Sequence, residues 1–354
     1  MHWIITGLVG AAIVAGACGA VEADPLYHVT YLGVSISGGA AINNAGEIVG
    51  TTSGTDAFTY QNGHLTNLGT LGGLVASPDA VNNNGQFVGQ YVTQAGTPTT
   101  AFLDSDGTVT TFGALPGYPV SAANGINDSG EIVGSASTRN GSASHAIIYN
   151  AGTTTDLGAG GAAAVNSSGE VVGTNASNHA FSYANGTMTD LGTLGGLQST
   201  ATAINNLGQI VGYSATSSAE GNYDHAFLYS NGVMQDLGGV GTVPLSFATS
   251  INDLGQIVGN TNFSPTGTQR PPFLYSGGTM YNLATLLDSS GAGFTLELVY
   301  GINDSGSIVG LGQNAAGYQG VLLTPVPEPG SGCLAAIAGI LALAGGFSRC
   351  RRRK

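Results

Sequence analysis

Three histidines invite a chemical reading first. His145, His179 and His225 occupy the same place in three consecutive repeated stretches of the chain, and imidazole is the commonest metal ligand. A shared zinc ion needs its donors within about 2 Å. Equivalent positions in neighbouring repeats stand a repeat's width apart, so the expected role is packing or capping at a strand start. Asp156, Asp190 and Asp236 recur just before Leu-Gly, where a turn at a strand end suffices to explain a carboxylate. Asp104-Ser105-Asp106-Gly107 and a recurring Asn-[Asn/Asp/Ser]-x-Gly element offer oxygen ligands of the kind calcium takes. Calcium loops, however, array several carboxylates and close on an acidic ligand. Here the asparagine side chain is expected to make a turn and the glycine to supply positive φ. Glycosidases and lyases need paired carboxylates. No polar cluster stands out from the repeat, no Ser-His-Asp grouping or nucleotide loop is visible, and residues 24–325 contain no lysine. The expectation is a chain without catalytic residues, bound metal or cofactor.

What must position these residues is a repeat. The phrase Ala41-Ile42-Asn43-Asn44-Ala45-Gly46-Glu47-Ile48-Val49-Gly50 returns with its first asparagine at Asn82, Asn127, Asn166, Asn205, Asn252 and Asn303. The intervals are 39, 45, 39, 39, 47 and 51 residues, each enough for one small supersecondary unit. A second phrase follows, seen best as His179-Ala180-Phe181-Ser182-Tyr183-Ala184-Asn185-Gly186 and on to Asp190-Leu191-Gly192. Short β-branched and aromatic runs bounded by Asn-Gly read as strands joined by tight turns. Each repeat then yields four strands, ending in Ile-Asn, centred on Ile-Val-Gly, of Ala-Phe-x-Tyr type, and ending in Leu-Gly. Four strands per repeat of this length predict an all-β fold, a seven-bladed β-propeller with four-stranded blades. The seventh repeat meets Pro325 without a Leu-Gly strand, and Tyr27-His28-Val29-Thr30-Tyr31-Leu32-Gly33 supplies one from the other end. The N-terminal strand is therefore expected to close the ring beside Val321–Leu323, leaving no free edge.

The repeats resemble the HAF family of extracellular repeats, on the strength of His179-Ala180-Phe181 and His225-Ala226-Phe227. The likeness spans nearly all of residues 27–325, with histidine replaced in repeats one, two, six and seven. It implies an extracellular location and a repeat architecture, and no particular chemistry.

Composition agrees with a packed, exported domain. The chain has 354 residues, 59 of them glycine, with 42% hydrophobic and 8% charged residues. Residues 24–325 hold two basic side chains, Arg139 and Arg270, against 18 acidic ones, a formal charge of −16. Phosphate backbones and anionic membrane surfaces are poor partners for such a domain. Cys18, Cys333 and Cys350 all fall in the terminal segments, so the domain has no disulfide to rely on.

The two ends read as addresses. The apolar run Trp3 to Cys18, then Val21-Glu22-Ala23, resembles a secretory signal peptide over residues 1–23, although Met1-His2 supplies no basic residue. At the other end stand Val326-Pro327-Glu328-Pro329, the apolar run Cys333 to Phe347, and the basic cluster Arg349, Arg351, Arg352, Arg353 and Lys354. Residues 326–354 thus resemble the PEP-CTERM sorting signal. That resemblance implies signal peptidase and an inner-membrane exosortase as partners during export, transient anchoring by a short transmembrane helix with its basic end in the cytoplasm, and delivery to the cell surface or an extracellular matrix rich in polysaccharide. The expected function is a non-catalytic binding or structural module associated with exopolysaccharide. The alternative is a propeller enzyme acting on polysaccharide. Ice binding by flat threonine arrays needs a short, regular pitch that intervals of 39 to 51 residues do not provide.

With the Ile-Asn strand innermost, tight turns gather on one face and variable connections on the other, where recognition usually resides. Those connections hold Tyr91, Arg139, Tyr213, Glu220, Tyr223, Asp224, Phe263, Arg270 and Tyr318 among Ser, Thr, Asn and Gly. Aromatic rings beside amides and hydroxyls suit the apolar faces and hydroxyl edges of sugars. Tyr91, Arg139, Tyr213, Tyr223, Asp224, Arg270 and Tyr318 are the expected ligand face.

Overall fold

The computed structural model describes residues 26–221, 223–241, 244–261 and 271–327. The signal segment 1–23, the tail from Glu328 and Pro329 through Arg349, Arg351, Arg352 and Arg353, and the loop residues Phe263 and Arg270 lie outside them. Within the described residues the fold is all-β, and helix is confined to three short 3-10 turns, Ser218–Glu220, Leu283–Leu286 and Ser289–Gly291. None of the described helices is long and apolar enough to cross a membrane.

Every repeat lays down the same antiparallel ladder. In the second, Val75–Val81 pairs with Phe87–Val92, then Thr100–Ser105, then Thr108–Phe112. In the fourth, one long strand, Thr153–Val165, does two jobs: its first half pairs with Ser144–Asn150 of the repeat before, and its second half with Val171–Asn175. In the last, Thr295–Ile302, Ile308–Asn314 and Gly317–Pro325 are completed by Tyr27–Tyr31, which pairs with Gly317–Pro325 in the register Val29 to Leu323 and Tyr31 to Val321. Each repeat's first strand packs beside the first strand of the next, and Thr295–Ile302 packs beside Ile36–Ile42.

The recurring residues form the core between these sheets. Phe58, Phe102, Phe181, Phe227 and Phe273, one in each of five repeats, are fully buried, as are Val49, Val88, Val172, Val211, Val258 and Val309 of the Ile-Val-Gly strands. Burying side chains of this size stabilises by about 1.5–3 kcal/mol each. The glycine of Ile-Val-Gly is required by a close approach. A Cβ on Gly212 would lie 1.9 Å from the carbonyl oxygen of Thr200, and one on Gly89 would lie 2.0 Å from that of Ser77. The neighbouring first strand comes so near because it carries a β-bulge there. The register slips past Asp79, Asn124, Ala163, Thr202, Thr249 and Tyr300 in successive repeats, the residue three before each repeat asparagine. A bulge leaves one residue out of the ladder and re-aims its side chain.

The longest interval, 51 residues between Asn252 and Asn303, accommodates two of the 3-10 turns, which its unbroken strand pattern gave no reason to expect. Asn282 caps the first turn by accepting the Ala284 N–H, and Leu283 and Leu286 are buried beneath it.

Candidate functional site

The repeat asparagines are joined in one cycle of hydrogen bonds. Asn43 Nδ2 donates to the carbonyl of Asn82, Asn82 to Asn127, Asn127 to Asn166, Asn166 to Asn205, Asn205 to Asn252, Asn252 to Asn303, and Asn303 back to Asn43, at 2.9–3.3 Å. Each is 3–6% exposed. The Oδ1 atoms cap the following turns, Asn205 accepting from the N–H groups of Leu207 and Gln209. The expected side-chain turn is therefore present, with Gly46 at φ 78° and Gly208 at φ 73°. The second amide function, linking one repeat to the next, gave no sign in the local sequence.

A second ring sits one residue further on. Backbone N–H groups of Asn44, Asn83, Ser167, Asn206, Asp253 and Asp304 donate to the side chains of Asn83, Asp128, Asn206, Asp253, Asp304 and Asn44 respectively, at 2.8–2.9 Å. At the remaining step, from Asp128, the recipient is Ser167, whose side chain is too short. These residues line an axial cavity of about 190 Å³.

A further axial cavity of about 220 Å³ is bounded by first strands of all seven repeats. Ile42, Ile126 and Val165 border both cavities. Its distinctive lining is the set of bulged residues, Asp79, Asn124, Ala163, Thr202, Thr249 and Tyr300, with Ala40 at the matching place in the first repeat. All seven are half-buried. Here the repeat symmetry breaks, contrary to the expectation that no polar cluster departs from it. Asp79 Oδ2 is buried without a hydrogen-bond partner. Burial pushes its carboxyl from 3.8 up to about 7, against a smaller opposing pull from the Ser77 hydroxyl. Burial also raises the Tyr300 phenol. The recurring phrase begins after this cluster and so does not point to it. Aligning the third residue before each repeat asparagine exposes it: five residue types at seven positions, beside a nearly uniform motif.

The histidines do not gather. Each pairs instead with the aspartate of its own repeat: His145 Nδ1 with Asp156 at 2.9 Å, His179 Nδ1 with Asp190 at 3.0 Å, and His225 Nδ1 with Asp236 at 2.9 Å. The same aspartates accept the N–H groups of Gly158, Gly192 and Gly238, which is the expected strand-end turn. Slight desolvation raises the Asp156 and Asp190 carboxyls, but the glycine N–H and histidine interactions outweigh it and hold both below the usual range. In the first repeat Asp56 and Asn67 make the equivalent contact. Asp104-Ser105-Asp106-Gly107 is a hairpin turn, with Asp106 at φ 51° and Asp104 accepting the Gly107 N–H. Among the described residues no three His, Cys, Asp or Glu side chains group as a metal would require.

The alternation of strands puts the histidine–aspartate pairs and the variable connections at the end of the ladders opposite the asparagine turns. The residues expected to form a ligand face divide there. Tyr91 and Tyr213 are not loop residues: they lie in Phe87–Val92 and Ile210–Thr216, each half-buried and edge-on to a phenylalanine, Phe102 at 5.7 Å and Phe247 at 5.0 Å. The strands extend further than the sequence indicated because these rings continue the core. Tyr223 and Tyr318 are 40% and 53% exposed. Arg139 is exposed and reaches the Gly96 carbonyl, while Asp224 begins a strand and is half-buried. Val326, where the tail begins, donates its N–H to the Leu26 carbonyl, and Pro327 is exposed.

No family model matches this sequence, and no curated protein matches it. Solved structures that resemble it include U3-55K, at 10% identity and a TM-score of 0.48 over 84% of this chain and 98% of that one. A gluconolactonase from Xanthomonas campestris aligns at 11% identity and a TM-score of 0.41, over 86% and 91%. An acylaminoacyl peptidase from Pyrococcus horikoshii aligns at 9% and 0.49, over 83% of this chain and 52% of that one. At such values the likenesses decide nothing about what this chain does.

Proposed function

We propose that this chain is an exported, non-catalytic binding or matrix protein, built as a seven-bladed β-propeller and recognising extracellular polysaccharide through the face that carries its variable connections. The propeller reading is supported by the cycle of seven asparagine hydrogen bonds, in which the last donates to the first, and by the pairing of Tyr27–Tyr31 with Gly317–Pro325. Export rests on the resemblance of residues 1–23 to a signal peptide and of residues 326–354 to a PEP-CTERM tail, with signal peptidase and exosortase as the processing partners.

The observation that carries recognition is the pair of exposed rings, Tyr223 and Tyr318, held at strand ends of a rigid scaffold on the loop face. An exposed aromatic ring costs hydration unless something covers it, and a sugar's apolar face does so while neighbouring Ser, Thr and Asn groups meet its hydroxyls. The test is a glycan array probed with the purified protein and with Tyr223→Ala and Tyr318→Ala. Binding to acidic or neutral polysaccharide that falls at least tenfold in either variant supports this reading; binding unchanged in both, or no binding, refutes it. Tyr91 and Tyr213 are unsuitable for this test because their loss would open the core.

Asp79 favours the alternative of an enzyme in one respect, since a carboxyl raised to about 7 suits general acid catalysis. Both glycosidic mechanisms use two carboxyl groups, and Asp79 is the one acidic residue lining its cavity. A polysaccharide-degradation assay on the same protein separates the two readings.

A further inference from the structure

We infer that the axial cavity around Asp79 is a binding site for a small organic cation bearing a primary ammonium group. It is distinct from the loop face, and the inference goes beyond the reading of that face as a glycan-binding surface.

Acceptors outnumber donors in this lining. The Thr202 hydroxyl is already directed at the carbonyls of Val211 and Ala248, and the Thr249 hydroxyl at that of Val258. Both oxygens therefore face the remaining space with lone pairs only. Asn124 Nδ2 donates one of its two N–H groups to the Ala162 carbonyl, and among the described residues nothing donates to its Oδ1. Asp79 Oδ2 has no partner at all. The uncommitted donors in this lining are few, the Tyr300 and Ser250 hydroxyls and the second N–H of Asn124 Nδ2, all of them neutral, and no lysine, arginine or histidine is present. A cavity so rich in unused acceptors and lacking any cation is complementary to a ligand that brings both N–H donors and positive charge.

The electrostatics point the same way. An unpaired buried carboxylate is costly, and it is ordinarily relieved by protonation or by a cation that donates hydrogen bonds to it. An ammonium group offers three donors, enough for Asp79 and two of the oxygens from Asn124, Thr202 and Thr249. Ala40 and Ala163 leave room and apolar wall for the rest of a small ligand within about 220 Å³. The site occupies the bulge positions, which the asparagine ring and the glycine contacts hold fixed whatever residue stands there. Alanine at two of the seven positions shows that the fold does not require a polar residue there, and Asp79 Oδ2 in particular bonds to no part of it.

The experiment uses the full chain with ethanolamine and glucosamine, and with the N-acetylated form of each, followed by calorimetry and ligand-observed NMR at pH 7. Both amines are expected to bind and both acetylated compounds to bind at least tenfold more weakly. Asp79→Asn should reduce amine binding at least tenfold, and Ala163→Leu, which fills the cavity and leaves the carboxylate in place, should do the same. The Ala163→Leu variant decides the matter if Asp79→Asn does not accumulate in folded form. Equal binding of amines and amides, amine binding unchanged in the variants, or failure of both amines to bind would overturn the proposal. Tyr223→Ala and Tyr318→Ala leave this binding intact, so the cavity and the loop face succeed or fail separately.

Discussion

Asp79 should make this protein less stable as the solution becomes more alkaline, and replacing it with asparagine should remove that dependence. Burial raises its carboxyl from an ordinary 3.8 to about 7. Between those values the folded chain holds a proton that the unfolded chain has released, so stability falls as pH rises through the window and levels off above it. At about 1.4 kcal/mol per pH unit, the full rise corresponds to roughly 4 kcal/mol, an upper bound because the side chain is half-buried and not sealed. Asparagine carries no ionisation term, but it leaves an amide beside the same unpartnered space, which costs about 1–3 kcal/mol. Asp79→Asn is therefore expected to be at least about 1 kcal/mol more stable than the parent at pH 8 and no more stable at pH 4. Other carboxyls contribute to the absolute profile. Burial also raises Glu47 and Asp104, while Asp156 and Asp190 are lowered and lose their contribution only below the ordinary carboxylate value. These are common to both proteins, so the difference between the two profiles isolates Asp79. The assay is urea unfolding followed by far-UV circular dichroism from pH 4 to pH 8.5. Parallel profiles would show that the Asp79 carboxyl is not desolvated in the folded protein, and its orphan oxygen would then support no site.

Three further outcomes follow from the scaffold. Asn166→Ala removes a donor to the Asn205 carbonyl and the acceptor for the Ser168 and Glu170 N–H groups; a loss of about 2–3 kcal/mol in urea unfolding is expected, and a loss under 0.5 kcal/mol would refute a structural role for the ring. Gly212→Ala places a methyl 1.9 Å from the Thr200 carbonyl oxygen, so it should cost about 2 kcal/mol or more, whereas Gly63→Ala, in an open turn, should cost only its positive-φ strain of about 1 kcal/mol. Deleting Tyr27–Gly33 exposes the edge of Gly317–Pro325, and light scattering should then show association that grows with concentration; a monomeric, equally stable deletion variant would contradict the proposed ring.

The strands were legible because their determinants are local. Alternating apolar residues, Asn-Gly turns and the Ile-Val-Gly phrase each specify backbone within a few positions, and the shortfall of one strand after Leu323 could be matched to Tyr27–Gly33 by counting alone. The pairing of His225 with Asp236 was not read, although both residues were singled out, because their contact runs across a hairpin and neither residue type requires the other. Tyr91 and Tyr213 read as loop residues for a related reason: a tyrosine at a strand end looks the same in sequence whether it faces solvent or, as here, an adjacent phenylalanine. The axial cavity was the least legible feature. Its lining comes from seven places 39 to 51 residues apart in sequence, and each contributes a residue that departs from the repeat.

That departure has a physical cause, and it bears on where function resides in such a molecule. In each repeat the asparagine must cap its turn and reach the next carbonyl, and the Ile-Val-Gly glycine must admit the neighbouring strand, so these positions tolerate one residue each. The bulge that the glycine admits lifts a single residue out of the ladder, where its contacts differ from repeat to repeat: Asn124 and Thr202 donate to a carbonyl of the next repeat, Tyr300 packs against the core, and Asp79 Oδ2 hydrogen-bonds to nothing. Ala163, Asn124, Asp79 and Tyr300 all occupy this position without altering the backbone around them, as the shared register slips demonstrate. The contacts that make the scaffold uniform are therefore the same contacts that leave one inward-facing position per repeat unconstrained. A carboxyl group at one of those positions, at an energetic cost and with one oxygen left unpartnered by the fold, is what the proposed binding of a cation would explain.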